Sequence, residues 1–232
     1  MKKWIVIGVV VALVIALVST LVVSASSGQP SAKATAQVGN INWLDLEEHP
    51  EATILSNVIK TPNQKDLFID VSLESGLYTQ TLVKSKLGTW DTSMARAVIE
   101  VRVLLDKGTD NQREAYPGWV VFASREQTLS AKFQGMILPC LTVDPDTHEI
   151  IVDPECVEPE ELELILDTMN ANSFNFILDD VPQGTHTISV IAMIHTTGSV
   201  QEASFTANAT IGKGSVTVEE VRMIKGEDIL LP

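Results

Sequence analysis

The chain has 232 residues, of which 45% are hydrophobic and 20% are charged, and its formal net charge is −14. A chain of this length and apolar content can bury one substantial core. Residues 38–232 hold 13 basic and 30 acidic side chains, a formal charge of −17. Such a surface repels nucleic acid and anionic lipid headgroups, so we expect no nucleic-acid partner.

The first segment predicts export. Two lysines precede an uncharged apolar run at residues 4–23. Roughly 20 apolar residues span a bilayer, whereas the apolar part of a signal peptide has about 7–15. Residues 1–23 are therefore typical of a transmembrane anchor, and a small-residue site at 23–25 leaves a cleaved signal as the alternative. Both interpretations keep the lysines in the cytoplasm and make the rest an extracellular domain on the cell membrane, or a secreted one.

The polar stretch that follows, residues 24–37 (SASSGQPSAKATAQ), has the composition of a flexible stalk. Residues 38–226 are predicted to form one extracellular β-sandwich domain. A hairpin and a helix are predicted as an insertion in it at residues 140–172. Residues 227–232 are predicted as a C-terminal tail.

Alternation of apolar and polar residues predicts strands over most of the exported part. It is clearest at residues 67–74, 99–105 and 203–211. Further strands are predicted at 118–124, 129–137, 174–179, 186–195 and 215–223. The sequence GKGS at 212–215 lies between two of these and predicts a hairpin turn. Strands in succession with little helix favour a mainly β fold, an antiparallel sandwich.

One stretch carries a family resemblance. In FNFILDDVPQGTHTISVIAMIH, alternating apolar residues at 174–178 are followed by a turn at 181–184 and then by a second alternating run. This resembles the corner before the penultimate strands of immunoglobulin-like and fibronectin type III sandwiches, over residues 174–224. The resemblance implies an immunoglobulin-like sandwich, with His186 where many such domains place a corner tyrosine. It brings no functional residues with it.

Residues 158–172 (EPEELELILDTMNAN) predict a short helix. Pro159 suits the first helical position, and acidic residues suit the positive end of a helix dipole. Apolar residues at helical spacing form a stripe: Leu162, Ile165, Leu166 and Met169. We expect this helix to cap one open end of the sandwich, with a binding helix as the alternative.

The two cysteines of the chain, Cys140 and Cys156, enclose the sequence LTVDPDTHEIIVDPE. An exported chain meets an oxidising environment, where an even number of cysteines favours pairing. The β-like segments LTV and EIIV flank the turn DPDTH, so a hairpin would bring the two sulfurs together. The pattern predicts a disulfide at the base of this hairpin.

The turn of this hairpin carries three carboxylates, Asp144, Asp146 and Glu149. Hard oxygen ligands on a tight loop suit calcium. The turn lacks the glycine and the twelve-residue spacing of an EF-hand, and Asp-Pro-Asp-Thr is also an ordinary turn sequence. We interpret it as a solvated turn and retain a calcium site as the alternative.

Catalytic motifs are missing from the sequence. The four histidines are scattered, no serine lies in a Gly-x-Ser-x-Gly motif, and no glycine-rich phosphate loop follows a strand. His186 and His195 are interpreted as histidines packed at a sandwich edge, although either could meet an acid on a partner strand. The sequence therefore predicts no enzyme and no cofactor.

Two further residues are candidate sites. Asn208 begins the sequon Asn-Ala-Thr and lies on the polar face of a predicted strand, so a glycan would fit if the host glycosylates exported proteins. Trp90 lies between probable strands. It would anchor a glycan or a protein partner if exposed, or it would pack over the sandwich edge.

These observations give three functional hypotheses. The first is a non-enzymatic exported cell-surface protein, membrane-tethered or secreted, that acts as an adhesion or interaction domain or as a structural part of the envelope. The second is a subunit of an extracellular filament or lattice, in which residues 38–60 complete a neighbour's sheet by strand exchange. The third is a calcium- or glycan-binding module that uses the turn at 144–149 or Trp90.

Overall fold

The computed structural model describes residues 34–40 and 51–223. The predicted membrane segment at 1–23 and the predicted tail at 227–232 lie outside these ranges. Among the described residues, no helix is long and apolar enough to cross a membrane. The described chain forms eleven strands and one 3-10 turn, Leu138–Cys140. The strands are β1 (Ala34–Asn40), β2 (Ala52–Thr61), β3 (Lys65–Ser85), β4 (Trp90–Leu105), β5 (Arg113–Glu114), β6 (Val120–Lys132), β7 (Leu141–Val143), β8 (Ile150–Val152), β9 (Glu160–Val181), β10 (Gly184–Val200) and β11 (Ser204–Val221).

Eight long strands form two antiparallel sheets. Sheet A has the order β1-β11-β3-β9, and sheet B has the order β2-β10-β4, with β6 and the short β5 both pairing with β4. The predicted antiparallel β-sandwich is thus confirmed. Each connection between long strands crosses to the other sheet, except the one from β4 to β6. This is the strand order of a jelly roll, whereas an immunoglobulin sandwich keeps its first two strands in one sheet.

The core lies between the sheets and follows the predicted alternation. In β3 the buried residues include Leu67, Ile69, Val71 and Leu73, and in β10 they include Ile188, Val190 and Ala192. Phe176 and Leu178 of β9 belong to the same apolar part of the core. Toward the other end, where β3 finishes and β9 begins, the buried residues become polar and include Thr79, Thr81 and Gln127. We call this the hairpin end of the sandwich.

Several strands are longer than the sequence predicts. The turn predicted at 212–215 is wrong, because β11 runs through it with a register shift between Ile211 and Gly214. A β-bulge of this kind absorbs an extra residue without ending the strand. The strands predicted at 118–124 and 129–137 are likewise one strand, β6.

The helix predicted at 158–172 is wrong. Residues 160–181 form β9, which pairs with β3 along nearly its whole length, from Val181 opposite Lys65 to Glu160 opposite Ser85. The stretch ELELIL carries an alternating pattern as well as a helical one. Local preference is weak compared with a long ladder of backbone hydrogen bonds and the packing of one face, so the pairing with β3 decides the structure.

The predicted stalk extends too far. Residues 34–37 belong to β1, which pairs with β11 from Ala34 opposite Glu219 to Asn40 opposite Lys213. Residues 52–61 form β2 and pair with β10. Within the segment proposed for strand exchange, the described residues therefore pair inside their own chain. The remaining residues of that segment, 41–50, lie outside the described ranges.

Candidate interaction surface

A disulfide-closed hairpin projects from the hairpin end. Cys140 and Cys156 are bonded, with their Cα atoms 5.5 Å apart, which confirms the predicted disulfide. β7 and β8 pair with each other from Leu141 opposite Val152 to Val143 opposite Ile150. Cys140 and the nearby Val157 are buried. The covalent bond therefore ties the base of the hairpin to the point where the chain enters the sandwich.

The hairpin carries an apolar face that the described chain covers only in part. Side chains at directly opposed positions share a face, and here the four are Leu141, Val143, Ile150 and Val152. They are between 37% and 68% exposed. A free two-stranded hairpin is at best marginally stable, so the disulfide compensates for the missing packing.

β9 is an edge strand with an unusual surface. Among the described strands it pairs only with β3. The side chains of Leu162, Leu164, Ile165, Leu166 and Met169 are between 38% and 66% exposed. The exposed residues of β6, the facing edge of sheet B, are polar from Ser124 onward: Ser124, Glu126, Thr128, Ser130 and Lys132. Long apolar edges invite further strands, and most proteins avoid them. β9 has such an edge and β6 does not.

One contact shows which backbone groups of β9 point outward. The Tyr116 N–H donates to the Ile177 carbonyl at 2.9 Å, and the Ile177 N–H donates to the Tyr116 carbonyl at 3.0 Å, on the side away from β3. Outward and inward residues alternate along an antiparallel strand, and the register is unbroken from Leu178 to Glu160. The N–H and C=O of odd-numbered residues, Ile165 among them, therefore point to the open edge.

Two side chains of β6 fix β9 from the interior. The Arg125 guanidinium donates to the carbonyl oxygens of Leu77 and Leu166 at 2.8 and 2.9 Å, and also to the Thr168 hydroxyl. The Gln127 amide donates to the Leu164 carbonyl at 2.8 Å. β9 is thus held on its inner side, while its outer edge stays open.

The outer face of β9 is acidic. Lys84 forms a salt bridge with Glu161 at 2.6 Å, and the Gln80 amide donates to Glu163. Within the described chain, Glu163 and Asp167 form no salt bridge. The edge therefore alternates leucines on one face with mostly acidic residues on the other.

The acidic turn of the hairpin satisfies its own hydrogen bonds. Asp144 Oδ1 accepts from the N–H groups of Asp146 and Thr147 at 2.8 and 3.2 Å. These backbone donors hold the pKa of Asp144 below its ordinary value. In the part of the chain that the structure describes, no three His, Cys, Asp or Glu side chains are grouped to hold a metal ion. The structure thus does not bring Asp144, Asp146 and Glu149 together, and calcium binding stays an untested alternative.

Asn208 is exposed on β11, on the outer face of sheet A, opposite Tyr78. It lines a shallow depression of about 410 Å³, to which Gly76, Tyr78, Asp167, Met169 and Thr210 also contribute. Gly76 lies between Thr210 and Met169 in the sheet. Because glycine has no side chain, its backbone forms the floor of the depression. Glycosylation at Asn208 stays a prediction.

Trp90 is the first residue of β4 and is 64% exposed, so it does not pack over the sandwich edge. A binding role for it stays a prediction. His186 and His195 both meet an acid of a neighbouring strand or loop: His186 Nδ1 lies 2.8 Å from Asp106, and His195 Nε2 lies 3.1 Å from Glu100. His186 is buried and His195 is exposed.

The sequence does not reveal the open edge of β9, because its leucines also have the spacing of a helical stripe. The alternation of Glu161, Leu162, Glu163 and Leu164 was the available signal. No such signal marks Arg125 or Gln127, since their partners are distant in sequence.

No protein-family model and no curated protein matches the chain. Among solved structures, a chain of infectious bursal disease virus Gx strain is 11% identical, with 82% of this chain and 34% of that chain covered and a TM-score of 0.28. A CocE/NonD family hydrolase from Staphylococcus aureus is 13% identical, with 81% and 33% covered and a TM-score of 0.21. The chain thus spans about a third of these two chains. At such TM-scores nothing of those proteins is transferred to this chain.

Proposed function

We propose that the protein is an exported, non-enzymatic surface protein whose β-sandwich is an interaction domain for protein partners. It is tethered by residues 1–23 or secreted after their removal. The observation that carries the proposal is the exposed aliphatic edge of β9, with the apolar hairpin at the same end of the sandwich. An adhesion or envelope-structural role uses this end of the domain for contact.

The contrast between the two facing edges supports this proposal. β6 exposes polar side chains from Ser124 onward, whereas β9 exposes five large apolar ones within eight residues, 162–169. Both are edge strands of the same sandwich. An apolar edge of this length persists in a soluble domain when a partner covers it. The proposed partner therefore adds to sheet A next to β9.

Export and the lack of catalysis rest on the sequence. The uncharged run at 4–23 predicts export, and the acidic composition and missing catalytic motifs favour binding over chemistry. If the host glycosylates exported proteins, Asn208 is exposed and accessible to modification. Protease treatment of intact cells that express the full chain tests export, because an exported domain is cleaved without lysis.

Site-specific photo-crosslinking tests the interaction surface. A photoreactive residue replaces Ile165 of β9 in the full chain expressed in its own host. The matched control replaces Thr128, which is exposed on β6. We expect a discrete crosslinked protein product from position 165 and none from position 128. Equal products from both positions, or none from position 165, would refute the proposal.

A second candidate, the filament or lattice subunit, is favoured by a different observation. β1 covers β11 only from Lys213 to Glu219. The part of β11 from Ser204 to Gly212 therefore has no strand on the side away from β3, among the described residues. A strand from a neighbouring copy would fill this gap. Electron microscopy of the full chain tests it, since strand exchange in series produces filaments and an interaction domain alone does not.

A further inference from the structure

We infer that the partner of β9 is an extended segment of a different protein, in which basic and apolar residues alternate. The inference rests on the proposed function, because it names the chemistry of the partner at that surface. The partner strand would lie about 4.8 Å from β9 and pair with its outward N–H and C=O groups. Its side chains would then fall alternately beside the two faces of β9.

The two faces of β9 require different side chains. Leu162, Leu164 and Leu166 lie on the face that continues the core, and each is only partly covered. Apolar side chains of the incoming strand would extend that cover. Glu161, Glu163 and Asp167 lie on the opposite face, which they share with Ile165 and Met169. At the acidic positions, opposite charges across a strand pair stabilise it. Lysine or arginine therefore suits the alternate positions of the partner.

Charge also disfavours two registers in which a second copy of β9 would be the partner. Two antiparallel β9 strands related by a two-fold axis at Ile165 would place Glu163 opposite Asp167 of the second copy. An axis at Leu164 would place Glu161 opposite Asp167. Like charges directly opposite each other are destabilising, and a formal charge of −17 on each exported part adds to the repulsion.

The test uses two labelled peptides as probes of the full-length chain in non-ionic detergent. One peptide alternates lysine and valine over the length of residues 161–169, and the control has the same composition in two blocks. Fluorescence anisotropy gives the dissociation constants. We expect the alternating peptide to bind at least about tenfold more tightly than the block peptide, and less tightly as salt is raised.

Variants of the protein distinguish backbone pairing at the open edge of β9 from charge attraction as the cause of peptide binding. The Ile165 N–H points outward, so Ile165→Pro removes a donor from the open edge and none from the ladder to β3. We expect it to abolish the preference for the alternating peptide. Glu163→Gln with Asp167→Asn keeps the backbone and should weaken binding of the alternating peptide about tenfold. Glu126→Gln on β6 is the matched control and should leave binding unchanged. If Ile165→Pro does not fold, the double variant decides.

The possible failures are distinguishable. Equal binding of both peptides, or unchanged binding by the double variant, overturns the inferred partner. If no peptide binds while position 165 still crosslinks to a protein, the partner chemistry is wrong and the interaction domain stands. A crosslinked product made of two copies of this chain would identify self-association instead. If no peptide binds and position 165 does not crosslink, both proposals fall.

Discussion

Gln127 of β6 and Thr79 of β3 are joined across the two sheets. Both are buried, and the Thr79 hydroxyl donates to Gln127 Oε1 at 2.7 Å. The Gln127 amide donates in turn to the Thr81 hydroxyl at 2.6 Å. The hairpin end of the core is thus held by a hydrogen-bonded network in place of aliphatic packing, and the same glutamine reaches the Leu164 carbonyl of β9.

Removal of this network should destabilise the fold. Gln127→Met preserves length but leaves the hydroxyls of Thr79 and Thr81 buried without their partner. We expect the free energy of unfolding to fall by about 1–3 kcal/mol, as measured by chemical denaturation. Adding Thr79→Val and Thr81→Val removes the unpaired groups and should restore most of the loss. A triple variant no more stable than the single one would contradict this explanation.

Asp106 anchors the corner between β9 and β10. Its two carboxylate oxygens lie 2.8 Å from the Thr187 N–H and 2.8 Å from His186 Nδ1, and His186 Nε2 lies 3.0 Å from the Pro182 carbonyl. Asp106→Ala should lower the free energy of unfolding by about 1–3 kcal/mol, because it leaves these donors unpaired. Thermal denaturation measures the effect. The control is Asp110→Ala, because Asp110 is an exposed aspartate in the same loop. An equal loss of stability in that variant would contradict the claim that the contacts of Asp106 stabilise the corner.

Loss of the disulfide should release the hairpin. The bond closes a loop with a sequence separation of 16, for which the chain-entropy model gives about 3 kcal/mol. We expect the double variant Cys140→Ser and Cys156→Ser to lose stability of this order and to exchange the amide hydrogens of residues 141–152 rapidly. A reducing agent should reproduce the effect in the natural chain and do nothing to the variant. Unchanged exchange would show that packing alone holds the hairpin.

The turn at Asp144 should open in acid. Because the pKa of Asp144 is lowered by backbone donors in the folded state, its ionised form stabilises the turn at all pH values above the unfolded pKa, about 3.9. That stabilisation is lost as the pH falls through the lower, folded pKa. An NMR titration of the Thr147 amide, which donates to Asp144 Oδ1 and whose own side chain does not ionise, should therefore show a transition below the pH at which an ordinary aspartate titrates. The absence of any transition below that pH would contradict the prediction, and Asp144→Asn should lose this low-pH transition.

Calcium should not stabilise the domain. Asp144 already accepts hydrogen bonds from its own turn, and no three acidic, histidine or cysteine side chains converge in the described chain. We expect equal melting temperatures in millimolar calcium and in a chelator. A rise that Asp144→Asn and Asp146→Asn abolish would instead establish the calcium module.

The sequence predicts what depends on neighbouring residues. The buried faces of β3 and β10 follow period-two alternation, and the disulfide follows from a hairpin whose two halves are adjacent in the chain. These features need no knowledge of distant partners. They are the parts of the fold that the structure confirms.

The features that the sequence does not predict depend on pairing between strands that are far apart in the chain. Residues 160–169 fit a helix and a strand equally well, and only the ladder to β3 decides between them. The jelly-roll order is also non-local, since β1 meets β11 and β3 meets β9. The position of β9 at an edge of sheet A is non-local for the same reason, because it depends on which strands pair with which.

The pairing of β1 with β11 constrains the order in which the chain is synthesised and folded. Ala34 lies opposite Glu219, so the first described strand has no ladder partner until almost the whole chain has been synthesised. Such long-range closure makes folding slow. If the chain is exported from its amino end, as we propose, β1 lies outside while β11 is still inside. The sandwich would then close only after translocation, and a chain shortened at its carboxyl end would arrive with sheet A incomplete.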